Sequence, residues 1–346
     1  LAGNTSSASS PLAVTLDTVD PSATAIILHN AASAVTNADT LEFEISFDEN
    51  VNGVDIADFQ LATTGSVSGT ISSVSAASGG SIIVTVSSVT GDGDLGLDFA
   101  PSATITDDAG NAVNMTEPST DEIYTIDNTD VEVDFSLAGP ASPTNASSVT
   151  FDVVFDSDVV NVDNTDFEAN LSSFTGTVGT ITVDDLADGD DATFQVTING
   201  ISGDGVIDLD LATGLDIEDP GGNVVSLVNT DEAVTIDQTA PAIPILTDIS
   251  ADTGISASDG VTSDQTLIVN GTGEIGATID VFLDGASIGT TAVDGFGNWS
   301  FDHSGSTLTD GTYNFSAKQT DLAGNTSSAS SPLAVTLDTV DPSATA

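Results

Sequence analysis

The sequence of 346 residues carries 54 Asp and Glu against one basic residue, Lys318, for a formal charge of -53, and it contains no Cys. A polyanion of this kind does not grip a phosphate backbone or an anionic membrane surface, and without Cys it has no disulfide framework, thiol nucleophile or Cys-ligated zinc. Apolar residues make up 39%, enough for packed cores; a compact state at this charge then calls for screening by salt or for bound divalent cations.

Residues 1–25, LAGNTSSASSPLAVTLDTVDPSATA, recur letter for letter at 322–346, an offset of 321. Within that period the phrases beginning Leu16-Asp17, Ile126-Asp127, Ile236-Asp237 and Leu337-Asp338 recur at steps of 110, 110 and 101 residues. The expected organisation is residues 1–16 as the C-terminal strand region of a preceding repeat, repeats at 17–126, 127–236 and 237–337, and 338–346 as linker and start of the next. The opening in mid-motif reads as a fragment of a longer chain. No apolar run is long enough to span a bilayer and no signal peptide is evident.

In the first repeat Leu41, Phe43, Ile45 and Phe47 alternate with polar residues, which predicts a half-buried strand. Asp48-x-Asn50-x-Asn52-Gly53 imitates the start of an EF-hand loop, but Phe59 stands where the closing Glu belongs, so that reading fails. Gly91-Asp92-Gly93 is a tight turn or a further ion site. In the second repeat Val149, Phe151, Val153 and Phe155 alternate in the same way, and Phe155–Ala169 aligns with Phe47–Leu61; Gly203–Gly205 repeats the Gly-Asp-Gly turn, and Asp188–Asp191 is another acidic run. The third repeat differs in subtype. Its Ile279, Val281 and Leu283 run into an Asp284-Gly285 hairpin turn, followed by the alternating pairs Trp299/Phe301 and Tyr313/Phe315. No segment has helical period. The predicted fold is all-β: tandem Ig-like antiparallel β-sandwiches of about seven strands each, arranged end to end.

Each repeat carries a D-x-x-G-N turn ahead of its closing linker: Asp107 with Asn111, Asp219 with Asn223, and Asp321 with Asn325. The linkers supply Asp17, Asp127, Asp237 and Asp338, with a second acid at Asp20, Asp130 and Asp341; Ala240 interrupts that pattern before the third repeat, whose own loop offers Asp248, Asp252 and Asp259. Ca²⁺ takes six to eight oxygen ligands from carboxylates, amides and carbonyls, and Asp/Asn/Gly loops provide them. The expectation is Ca²⁺ at the joints between repeats, held by these residues; the alternative is that the acids serve only as turn formers and caps.

Asp252–Asp264, Gly271–Gly285, Asp294–Phe301 and Asp310–Ser330 closely resemble bacterial Ig-like repeats of giant surface adhesins, and the first two repeats resemble a sister group. The resemblance implies a β-sandwich fold, Ca²⁺ at domain junctions with Asp252, Asp259 and Asp321 as ligands, and extender modules in RTX-type or biofilm-associated adhesins. It also implies export to the bacterial cell surface by type I secretion and a binding tip held away from the cell. The partners expected are neighbouring repeats of the same chain, with lateral self-association open; a self-assembling filament or sheath, or a carbohydrate- or protein-binding module, are the alternatives. An enzyme is not expected. His29 and His303 read as histidines without acid–base partners, and Gly285-x-Ser287-x-Gly289 sits in a hairpin rather than at the strand-to-helix turn a nucleophilic serine needs.

Overall fold

The computed structural model describes residues 3, 5–186, 191–226 and 232–341, so Asp188–Asp190 of the acidic run lie outside the described residues. The chain divides into two compact units. One comprises residues 1–132, 156–161 and 216–226; the other comprises 133–155, 162–215 and 227–346.

The first unit contains the sandwich of the first repeat. Its strands are β1 (Ala23–Leu28), β2 (Val35–Thr36), β3 (Thr40–Asn52), β4 (Phe59–Thr63), β5 (Ser68–Val74), β6 (Ser78–Thr90), β7 (Gly93–Phe99) and β8 (Tyr124–Ile126). They form two sheets, β1-β3-β6-β5 and β2-β8-β7-β4; β2 runs parallel to β8 and the other pairs are antiparallel. The alternation in β3 does what its period demands: Leu41, Phe43, Ile45 and Phe47 are all buried, with Phe43 edge-on to Tyr124 at 5.2 Å. Full burial of one such side chain stabilises by about 1.5–3 kcal/mol. The EF-hand-like stretch is part of β3 and its continuation, where no ion loop forms.

The second repeat spans both units. Its strands are β9 (Val131–Gly139), β10 (Ser148–Phe155), β11 (Phe167–Thr177), β12 (Ile181–Asp185), β13 (Thr193–Asn199), β14 (Ser202–Leu211), β15 (Val225–Ser226) and β16 (Val234–Ile236). Within the second unit β12-β13-β10-β9 form one sheet and β11-β14-β16 another, and Val149, Phe151, Val153 and Phe155 are buried. Within the first unit, β15 runs parallel to Val131-Glu132.

The third repeat has β17 (Ile245–Ser250), β18 (Val261–Thr262), β19 (Ile268–Thr272), β20 (Thr278–Leu283), β21 (Ala286–Ala292), β22 (Asn298–Asp302), β23 (Gly311–Thr320) and β24 (Leu333–Leu337), in sheets β17-β19-β22 and β18-β24-β23-β20-β21. Its core holds the single Trp, Trp299, buried with Ile279, Val281 and Phe315. Gly271 makes room for it, since a Cβ there would stand 2.3 Å from the indole. Lys318, on β23, lies over the Phe282 ring at 5.8 Å. Among the described residues there is no α-helix, and none long and apolar enough to cross a membrane.

Candidate functional site

The acids of the turns and linkers are organised by hydrogen bonds that repeat from one sandwich to the next. In the first turn the buried Asp107 accepts through Oδ1 from the backbone N–H of Ala109, Gly110 and Asn111 at 2.9, 2.6 and 2.8 Å. Its Oδ2 accepts from Asn111 Nδ2 at 2.7 Å. Asp219 accepts from the N–H and Nδ2 of Asn223, both at 2.9 Å, and Asp321 from those of Asn325 at 2.8 and 3.0 Å. This is Asp capping a turn, the role its short side chain performs without metal.

The Asn of each turn then reaches a linker. Asn111 Nδ2 donates to the Asp17 carbonyl at 3.3 Å, Asn223 Nδ2 to that of Asp127 at 2.9 Å, and Asn325 Nδ2 to that of Asp237 at 2.7 Å. Turn and linker do meet, but each turn grasps the linker that precedes its own repeat, roughly ninety residues upstream, rather than the one that follows it. The linker carboxylates fold back on their own chain: Asp17, Asp127, Asp237 and Asp338 each accept from the N–H two residues on, at 3.0–3.1 Å.

The linker that follows each repeat is held by a different acid. Asp92 accepts the N–H of Asn128 at 2.8 Å, Asp204 that of Gln238 at 2.6 Å, and Asp310 that of Thr339 at 3.0 Å. Two of these are the Gly-Asp-Gly aspartates, so those turns hold a linker; Asp310 does the same from 29 residues ahead of its partner, against 36 and 34 for the other two, and was not singled out in the sequence. Hydrogen bonding lowers the carboxyl pKa of Asp204, with the N–H of Gln238 as the largest cause and the hydroxyl of Thr239 next.

One acidic cluster does bring oxygens together. Asp17, Glu49 and Asp107 each present a carboxylate oxygen, all within 4.8 Å of one another. Asp17 is exposed, Glu49 half-buried and Asp107 buried. Glu49, unmarked in the sequence motif, is placed there by the continuation of β3. Burial raises its carboxyl pKa, and the charges of Asp17, Asp107, Asp48 and Asp108 push it further up. For Asp107 burial is the largest single influence and acts upward, but the bonds from Asn111, Gly110 and Ala109 together outweigh it and hold the group below the usual carboxylate range. Three carboxylates would supply three of the oxygens a Ca²⁺ ion takes, and a cation there relieves the repulsion that Glu49 registers.

In the third repeat, Asp248 and Asp252 line a small cavity of about 50 Å³ together with Ser258. Asp252 accepts from the Gly260 N–H at 3.0 Å through Oδ2, whereas its Oδ1 is buried without a hydrogen-bond partner. Such an orphaned oxygen is costly unless an ion or water meets it. Asp259, which accepts from the Val261 N–H at 3.1 Å, does not line that cavity, and Asp20, Asp130 and Asp341 lie exposed on the linkers.

His29 corrects the expectation of a histidine without an acid–base partner: its Nδ1 lies 3.0 Å from Glu44 Oε2, brought there by pairing of β1 with β3. His303 packs beside Phe301 and Phe315, ring centroids 6.4 Å apart in each case. Ser287, on β21, donates to Asp280 Oδ1 of β20 at 2.6 Å across the hairpin.

Residues 235–339 match the family of bacterial Ig-like domains. No curated protein matches the sequence. Among solved structures, the chain is similar to the Escherichia coli adhesin FdeC, at 15% identity over 94% of this chain and 99% of that one, with a TM-score of 0.43. It is also similar to a tetra-tandem repeat in the extending region of a large adhesion protein (21% identity, 92% of this chain, 74% of that one, TM-score 0.28). A third similar structure is the BSP domain of a biofilm associated protein (13% identity, 93% of this chain, 67% of that one, TM-score 0.25).

Proposed function

We propose that this chain is a spacer stretch of a bacterial cell-surface adhesin, exported by type I secretion, in which three Ig-like repeats at 17–126, 127–236 and 237–337 extend a binding tip and divalent cations firm the joint that leads into the first repeat and neutralise acids of the third. The observation that carries the reading is the recurrence of one turn-and-linker arrangement in every repeat, in a sequence that restarts unchanged after 321 residues. A ligand site is usually unique along a chain, whereas a joint has to be made again at every boundary. The Asp17–Glu49–Asp107 cluster is the best-formed place for Ca²⁺; the Asp248/Asp252 cavity, with its unpartnered Oδ1, is the second. Neither site calls for chemistry from the ion beyond neutralising charge and tying loop to linker.

Thermal unfolding in Ca²⁺ and in EDTA tests this. At free Ca²⁺ about a hundredfold above its Kd, linkage raises the midpoint of a ~100-residue domain by upward of about 10 °C. Midpoints that coincide in Ca²⁺ and EDTA would falsify the cation reading. Particle mass in solution separates a single-chain spacer, which stays monomeric, from a self-assembling filament subunit.

A further inference from the structure

The joints differ in what closes them. In the first unit the backbone N–H of Asn37 donates to the carbonyl of Gly221, the third residue of the second repeat's turn, at 2.9 Å. Its Nδ2 donates to the Gly222 carbonyl at 2.7 Å and to Asn223 Oδ1 at 3.1 Å. In the second unit Asn145 repeats the backbone part of this on the third repeat's turn: its N–H donates to the Ala323 carbonyl, again the third turn residue, at 3.0 Å. The turn glycines fit these asparagines. Gly222 and Gly324 have φ of +90° and +96°, and a Cβ on either would stand 3.3 or 3.4 Å from the side chain of Asn37 or Asn145.

The seat is a Thr-Asn-Ala segment fixed by the linker. Asp127 N–H donates to the Thr36 carbonyl at 3.1 Å, Asp237 N–H to Thr144 at 3.0 Å, and Asp338 N–H to Thr262 at 3.0 Å. The third repeat thus builds the same edge but follows its Thr with Ser263. That N–H already donates to Thr253 Oγ1 of its own loop at 2.9 Å, and serine has no amide to offer. At the two Asn joints the polar groups are matched as amide to carbonyl, and Asp219 and Asp321 are satisfied by their turns. Gln238 adds donors to the Ile201 and Ala146 carbonyls at 3.1 Å, and Gln319 holds the Ala242 carbonyl, beside the position where Ala240 interrupts the acidic pattern.

We infer that the joints after the first and second repeats close without a divalent cation, by seating the D-x-x-G-N turn of one repeat on the Thr-Asn-Ala segment of the repeat before it, and that the third repeat lacks this seat. The partner such a segment fits is a following repeat whose turn offers a free third carbonyl and a positive-φ glycine. Cation sensitivity then concentrates at the acid cluster of the first repeat. This inference rests on the tandem-spacer reading but not on Ca²⁺ binding, so the two fail separately.

Because the chain has no Cys, spin labels can be placed without background. Ser73→Cys with Ser157→Cys spans the first joint, and Ser172→Cys with Ala286→Cys the second; all four positions are exposed. Pulsed dipolar spectroscopy on the full chain in EDTA should give narrow distance distributions that Ca²⁺ leaves unchanged. Asn37→Ser, which copies the third repeat, should widen only the first distribution, and Asn145→Ser only the second, with circular dichroism unaltered. Broad distributions in EDTA that sharpen on adding Ca²⁺, or no widening in either variant, overturn the inference.

Discussion

In the first repeat, the strand that follows β4 is β5, and it pairs with β6 in the sheet of β1 and β3. In the third, the corresponding strand β21 pairs with β20 and joins the opposite sheet. The short Asp284-Gly285 turn explains the second arrangement, because a two-residue connection obliges consecutive strands to pair with each other. Between β4 and β5 no such hairpin forms, and β5 is free to cross. The cores differ as well: linked phenylalanines pack in the first repeat and Trp299 over Gly271 in the third. What stays constant is the turn, its Asn, the linker carbonyl it reaches and the acid that holds the next linker. Strand order and core are exchangeable here; the hold of turn and acid on the linker is the part kept fixed, and the seat for the next turn is the part of the joint that varies.

The strongest way to break this comparison is to ask whether the cores are energetically separate. Phe43→Ala and Phe315→Ala each empty a fully buried position, and such truncations cost about 3–5 kcal/mol. Trp299 fluorescence reports only the third repeat, so Phe315→Ala should lower the denaturant midpoint seen by tryptophan and Phe43→Ala should not; equal shifts would mean that the repeats unfold as one. A middle-sized effect sharpens the constancy of the joint. Asp219→Ala leaves the buried Asn223 without its main acceptor, which costs about 1–3 kcal/mol. Asp321→Ala should cost no more, because its turn is less buried, and calorimetry of the two variants would show it.

The smallest effect concerns Glu49. Its folded pKa lies above the ordinary 4.5, so the folded chain takes up a proton before the unfolded chain does. Stability at this site therefore rises as pH falls through the raised value and levels off below the ordinary one. Glu49→Gln should raise the midpoint slightly at neutral pH in EDTA and remove both that acid-side gain and part of the Ca²⁺ response. A variant whose Ca²⁺ response equals the parent's would exclude Glu49 as a ligand.

Much of the fold was legible because strand burial has a two-residue period: Leu41 to Phe47 and Val149 to Phe155 are buried as their spacing demanded. The D-x-x-G-N turns were legible for a similar reason, since each is capped within five residues. The long-range partners were not. That Asn223 reaches Asp127 rather than Asp237, that Glu49 joins Asp17 and Asp107, and that Asn37 seats a turn 184 residues later along the chain all depend on which loops the sandwich carries to the same place. No local pattern encodes that. The Gly-Asp-Gly aspartates were ambiguous because the same residues suit a tight turn, an ion or, as found, a linker N–H.

Lys318 gives the third repeat a built-in clock. It sits near the C-terminal end of β23, paired with Asp280 of β20 and lying over the Phe282 ring, and it is the only Lys or Arg in the sequence. A protease specific for basic residues can cut there only after the strand has left its sheet. When opening and reclosing are fast relative to cleavage, the rate of nicking at this one bond counts the fraction of time the third sandwich is open. An acid-laden chain thereby reports the local opening of one of its repeats through a single cleavage product.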